Sequence, residues 1–185
     1  CHSKWLLQLV ITTDWENDNA KNKQETINIL TSCSKKKNCW ELMCTRSCST
    51  KLQAEDIIII LSKKYTYYPL IKYLIKNLYS ISEYELSCYI GYIVNLLVFY
   101  KNFTNISKEL ETFLFEKCKN NIPLSNQLFW TITQFMSNPE SHNYFKILRK
   151  NIVNILPKNT YKLFQNGYDF TLNLIQIANN TTDTD

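Results

Sequence analysis

Between Ser82 and Tyr100 the chain places apolar side chains at almost every angle of a helix. Leu86, Ile90, Ile93 and Leu97 recur at helical spacing, and Tyr89, Tyr92, Val94, Leu96 and Phe99 fill most of the remaining circumference. A helix with that pattern is expected to be buried on several sides and to serve as the centre of the fold. Ser82, followed three residues later by Glu85, predicts a capping box at its start. The interruption is a narrow stripe of Ser87, Gly91 and Asn95. It is expected to let a neighbouring helix approach, so that a bulky residue at Gly91 would destabilise the fold.

The same periodicity runs along the rest of the chain. Lys4–Ile11 reads as a short helix ended by Asp14-Trp15, and Ala20–Cys33 as a second, with Ile27 and Leu30 inward. The run Ile57-Ile58-Ile59-Ile60-Leu61 has the composition of a strand. Glu55 and Asp56 just before it favour a helix N-terminus, and no other segment offers a good strand to pair with, so a helix is expected. Pro69 opens a helix with Ile71, Leu74, Ile75 and Leu78 inward. Ser107 is expected to cap one carrying Leu110, Phe113, Leu114 and Cys118, after a linker at Phe103–Ile106. Pro123 opens one with Leu124, Leu128, Ile132 and Phe135 inward, and Pro139 one with Phe145, Leu148, Ile152 and Ile155, closed by Pro157. The last carries Tyr161, Phe164, Tyr168, Leu172 and Ile175, and Asn179–Asp185 reads as a polar, frayed tail. Helix and loop lengths of this kind predict an all-α chain of antiparallel helix pairs stacked as an armadillo- or HEAT-like α-solenoid, with a compact bundle as the alternative.

Composition agrees with an all-helical domain. The 185 residues are 45% hydrophobic, enough for one core, and only 2 are Gly and 4 Pro, few for a sheet protein with tight turns. Seven cysteines, at 1, 33, 39, 44, 48, 88 and 118, are an odd number, with two on apolar helix faces, which points to a reducing compartment. No signal peptide is visible, and no apolar run reaches the roughly 20 residues a membrane span requires. A start at Cys1 without Met reads as an excerpt of a longer protein.

The residues for catalysis are sparse. The two histidines, His2 and His142, read as surface residues. With Gly only at 91 and 167, no Gly-rich phosphate loop can form. Cys33, Cys39, Cys44 and Cys48 lack the paired-knuckle spacing of common zinc sites, so neither a metal nor a catalytic residue is assigned. Glycosylation sequons at Asn102, Asn105, Asn179 and Asn180 are expected by chance in so Asn-rich a chain. Lys35-Lys36-Lys37-Asn38 reads as a solvated loop. The net charge of +5 is modest, but no acidic residue lies between Ser141 and Tyr168, where Lys146, Arg149, Lys150, Lys158 and Lys162 stand. This face is either merely solvated or a contact for an acidic domain or an anionic membrane. Aromatic residues do not interleave with it, which argues against nucleic acid.

Taken in order, these segments resemble the helical accessory (PIK) domain of phosphatidylinositol kinases, most closely the class III phosphatidylinositol 3-kinase. The resemblance rests on Trp5-Leu6-Leu7 with Asp14-Trp15, on Ala54–Ser62, and on Tyr67-Tyr68-Pro69 running to Leu78. It continues through Glu83, Glu85, Leu86 and Tyr89, through Phe113-Leu114 with Cys118-Lys119-Asn120, and through Leu128-Phe129-Trp130. It departs at Tyr92 and Asn95, where the family has glutamines, at Phe99-Tyr100, and at Ser34–Ser49, which looks like an insertion.

The resemblance implies a right-handed α-solenoid over residues 1–178, with 179–185 a tail or linker toward a downstream kinase domain. It implies a scaffold without cofactor of its own, between a C2 domain and a kinase domain that would use ATP and Mg to phosphorylate the 3-hydroxyl of phosphatidylinositol. Regulatory subunits and peripheral association with endosomal or vacuolar membranes from the cytoplasm are implied as well. A phosphatidylinositol 4-kinase helical domain and a free-standing helical-repeat adaptor are the alternatives.

Overall fold

A computed structural model describes residues 2–35 and 52–182, and every regular element among them is an α-helix. In chain order these are α1 (His2–Thr12), α2 (Ala20–Lys35), α3 (Ala54–Ser62), α4 (Tyr68–Leu78), α5 (Glu83–Tyr100), α6 (Thr104–Cys118), α7 (Ile122–Phe135), α8 (His142–Ile155) and α9 (Lys158–Thr182). The chain divides into two compact units, with the division between Leu114 and Phe115, inside α6.

In the first unit the four-isoleucine segment is helical, as its acidic entry predicts. The Asp56 carboxylate accepts from the Gln53 backbone N–H at 3.1 Å, satisfying a donor that the helix itself leaves free. All of the run except Ile59 is buried, and α3 packs against α1, α4 and α5. This short helix therefore joins three others at the core of the unit. Pro69 lies in the first turn of α4, whose Leu70, Ile71, Leu74, Ile75 and Leu78 are all buried. Trp15 closes the core beneath the turn after α1. Its indole Nε1 donates to the Val10 carbonyl at 2.7 Å, and its ring stacks on Tyr67 at 5.5 Å between centroids.

Helix α5 starts as expected, with the Ser82 hydroxyl accepting from Glu85 N at 3.2 Å. Its inner face, from Leu86 to Tyr100, is buried. The Tyr100 hydroxyl donates to the Tyr65 carbonyl at 2.7 Å, tying the end of α5 to the loop before α4, and burial raises its pKa. The outer face differs from the sequence expectation: Tyr84, Tyr92, Gly91 and Asn95 are exposed. A Cβ added at Gly91 meets nothing within 4 Å, so among the described residues no neighbouring helix reaches the small-residue stripe at that point. Glycine there only costs backbone entropy. Gly91→Ala is therefore expected to stabilise the first unit by about 0.5–1 kcal/mol, read as slower hydrogen exchange in α5. A loss of stability would mean that the face is occupied.

Helix α6 begins at Thr104, so Ser107 is not its cap. Ser107 lies one turn inside, buried, and its hydroxyl donates to the Glu111 carboxylate at 3.0 Å. The inward positions Leu110, Phe113, Leu114 and Cys118 are all buried, as the periodicity requires.

In the second unit α7 packs against α8 and α9. Pro123 sits in the first turn of α7, and Asn121 caps it by accepting from Leu124 N at 2.9 Å. Leu124, Leu128, Phe129 and Ile132 face inward, whereas Phe135 is half-buried. Pro139 does not open α8. It lies in the turn before it, and the helix starts at His142. His142 is half-buried rather than a free surface residue. Its Nδ1 is 2.8 Å from the Met136 carbonyl, so that nitrogen carries the proton and satisfies a C-terminal carbonyl of α7.

Helix α9 extends through Thr182, into the segment read as a frayed tail. Phe164 is buried on α7, but Leu172 and Ile175, expected inward, are exposed. They sit on the same side of α9 as Phe164 and Tyr168, farther along the helix than α7 covers. Cys39, Cys44, Cys48 and the Ser34–Ser49 insertion lie wholly or mainly outside the described residues, and α2 carries helix through Lys35, first read as loop.

Candidate functional site

The basic segment is split between α8 and the first turns of α9. Lys146, Lys150, Lys158 and Lys162 are exposed and open to an anionic partner. Arg149 behaves differently. Its guanidinium carbon lies 4.5 Å from the Tyr168 ring centroid and 5.6 Å from that of Phe129. It is half-buried, and its Nη1 is buried with no hydrogen-bond partner in the described structure. A cation held over two ring faces is stabilised by their quadrupoles, and guanidinium, weakly hydrated and planar, suits this better than ammonium. Arg149 thus packs α8 against α7 and α9, and the four lysines form the exposed part of the segment.

Beside this cluster lies a shallow apolar groove of about 310 Å³, lined by Ile122, Pro123, Asn126 and Trp130 of α7 and Leu163, Phe164 and Gly167 of α9. Sequence reasoning did not single it out. The available signal was Gly167 in the middle of an otherwise long-chained helix face, three residues before Phe170.

The described residues contain no group of three or more His, Cys, Asp or Glu side chains arranged to hold a metal. The side chains of His2, Cys33, Cys39, Cys44 and Cys48 fall outside them. Both glycines lie inside helices, so no phosphate-cradling loop is formed there. Some polar contacts join different helices. The Tyr68 hydroxyl donates to Glu109 at 2.8 Å, and the exposed Lys72 ammonium stands 3.7 Å from the same carboxylate. The Glu109 bond raises the Tyr68 pKa.

The two cysteines whose side chains are described have opposite chemistry. Cys88 is exposed. Cys118 is fully buried, and loss of hydration pushes its thiol up to about 12. The thiolate is the reactive form, and at pH 8 it falls from roughly a tenth of an ordinary thiol of this kind to about one part in ten thousand. Maleimide at pH 8 is expected to label Cys88 in the folded protein and Cys118 only after unfolding, as read by peptide mass mapping. Because the folded pKa is the raised one, the stability contributed by protonated Cys118 is present below pH 9 and is lost as pH rises toward 12. Rapid native labelling of Cys118 would show that α6 and α7 open there.

Helices of 9 to 25 residues, joined mostly by short turns, make the described residues an all-helical module. Residues 16–165 match the family model described as "Phosphoinositide 3-kinase family, accessory domain (PIK domain)", and the chain belongs to that family. The family is the helical accessory domain of lipid kinases, enzymes of the transferase kind. No curated protein and no solved structure matches the chain significantly. Among the described residues no helix is long and apolar enough to cross a membrane.

Proposed function

We propose that this chain is the non-catalytic scaffold of a class III-type phosphatidylinositol 3-kinase. In that role it positions a C2 domain and a kinase domain for transfer of the ATP γ-phosphate to the 3-hydroxyl of phosphatidylinositol, on endosomal and autophagic membranes reached from the cytoplasm. The observation that carries the reading is the family match over residues 16–165. The order of motifs from Trp5 to Trp130 supports the class. The reading assigns ATP and Mg to the kinase domain. Regulatory subunits are further partners on this reading.

The product of the parent enzyme tests it. Phosphatidylinositol 3-phosphate is the expected product. Phosphatidylinositol 4-phosphate would favour the 4-kinase alternative, and a parent without kinase activity the free-standing adaptor. The reading also takes the helix pairs to stack as a right-handed solenoid. Small-angle scattering then gives a radius of gyration above the roughly 16 Å of a compact globule of this length, and a value at that figure favours a bundle.

Lys146, Lys150, Lys158 and Lys162 are proposed to contact an acidic neighbouring domain or an anionic membrane, with Arg149 holding α8 in place beneath them. Reversing the four lysines to Glu is expected to lower parent activity on anionic vesicles several-fold with helix content unchanged. Unaltered activity would reduce the segment to a solvated face.

A further inference from the structure

Helix α9 carries a second apolar line beside the face packed on α7. Leu163, Gly167, Phe170 and Leu174 follow at spacings of 4, 3 and 4, the a/d rhythm of a two-helix seam. Leu163, Phe170 and Leu174 are 66%, 64% and 49% exposed, so the described chain leaves them largely uncovered. The groove lies at the Gly167 step, with Trp130 opposite and Ile122 and Leu163 among its walls. The Trp130 ring is 3.8 Å from where a Cβ on Gly167 would stand. The missing side chain leaves a hole, and one layer farther along the same helix Phe170 stands out as a knob.

These positions are symmetric. In an antiparallel helix pair each a position meets a d position of the other helix. A two-fold axis midway between Tyr168 and Asp169 sets Leu163 against the second copy's Leu174, and Gly167 against the second copy's Phe170. The same axis repeats both contacts in reverse. A two-fold pair requires one surface that complements itself, and a hole and a knob in one register meet that requirement. We infer that this face of α9 is a homodimer seam, in which the Phe170 ring of each copy enters the Gly167 groove of the other.

The flanking chemistry favours a second copy over a lipid surface. Lys158 and Lys162 stand at the start of α9, before the seam, but along the seam the polar side at Gln165, Asn166, Asp169, Asn173 and Gln176 carries no Lys or Arg, whereas surface-bound amphipathic helices are rich in both along their length. Asn166 and Asn173 border the seam and bring no like charges together. The layers and groove walls bury on the order of 1,000 Å² in total, near the lower edge of specific interfaces, so a dissociation constant on the order of micromolar is expected. The inference rests on α9 and α7 alone and stands apart from the kinase reading.

The test is sedimentation equilibrium of the 185-residue chain from roughly 1 to 200 µM, a range spanning that constant. A reversible monomer–dimer equilibrium is expected. Leu163→Glu and Leu174→Lys, both at exposed positions, should each weaken the dimer at least tenfold while circular dichroism stays unchanged. Mixing these two variants should restore a dimer, because one antiparallel layer then pairs Glu with Lys and the other keeps both leucines. A chain monomeric throughout the range, open-ended aggregation, a dimer that survives both single changes, or a mixture that stays monomeric would each overturn the inference.

Discussion

Replacing Phe129 with Ala is expected to destabilise the second unit by about 3–5 kcal/mol. The ring is buried and lies 5.5 Å from Phe164, 5.7 Å from Trp130 and 6.5 Å from Tyr168 between centroids. Its removal leaves a cavity where α7 meets α9. It also takes away one of the two ring faces under the Arg149 guanidinium, whose Nη1 is buried without a hydrogen-bond partner. A half-buried cation then loses part of its compensation, which adds to the cavity cost. The chain has two units, so a single unfolding midpoint is the wrong measure. Segment-resolved hydrogen exchange reads the effect directly, with the largest loss of protection expected in α7, α8 and the first half of α9. A loss below about 1 kcal/mol would mean that this aromatic cluster is not what holds the unit together. Phe129→Leu, which keeps most of the volume but offers no ring face, separates the cavity from the cation: its effect should fall mainly on α8.

Trp15→Ala is expected to cost the first unit a similar 3–5 kcal/mol. Trp15 joins two connections. Its indole N–H satisfies the Val10 carbonyl near the end of α1, while its ring lies on Tyr67 and within 6.2 Å of Tyr65, in the loop between α3 and α4. The Tyr65 carbonyl in turn accepts from the buried Tyr100 hydroxyl of α5. One side chain thus connects the turn after α1 to a loop that α5 also holds. Trp15→Phe keeps a ring but leaves the Val10 carbonyl without this donor, so it should cost less, about 1–3 kcal/mol. Chemical denaturation followed by exchange in α1 and α4 checks both. Equal losses for Ala and Phe would show that the hydrogen bond, and not the stacked ring, carries the effect.

Much of this architecture was legible along the chain, because burying one stripe of a helix imposes a period that no other element shares. Leu110, Phe113, Leu114 and Cys118 were read as one face and are buried as one face. The four-isoleucine run was correctly read as helix against its strand-like composition, because Glu55 and Asp56 matter to the terminus of a helix and not to a strand. Family membership was legible for the same reason: it lies in the order and spacing of apolar and capping residues.

Local sequence was less informative about where helices start. Ser107 and Pro139 both carry start signals, yet α6 begins before the first and α8 after the second. Either residue is tolerated near a terminus without having to define it.

Periodicity states which face of a helix is apolar, but not whether another element reaches that face. Only the tertiary structure decided that the short helix α3 packs against α1, α4 and α5. It also left Gly91 facing open space, although its small-residue stripe looked like a packing groove. Arg149 shares its helix face in sequence with Lys146 and Lys150, but its fork is drawn onto rings from α7 and α9 that are distant in the chain. Leu172 and Ile175 keep the period of Phe164 and Tyr168, yet are exposed because α9 runs on past the helix that covers the first two. In each case the sequence by itself determined the pattern of one helix, while burial depended on the lengths and positions of its neighbours, which no single segment encodes.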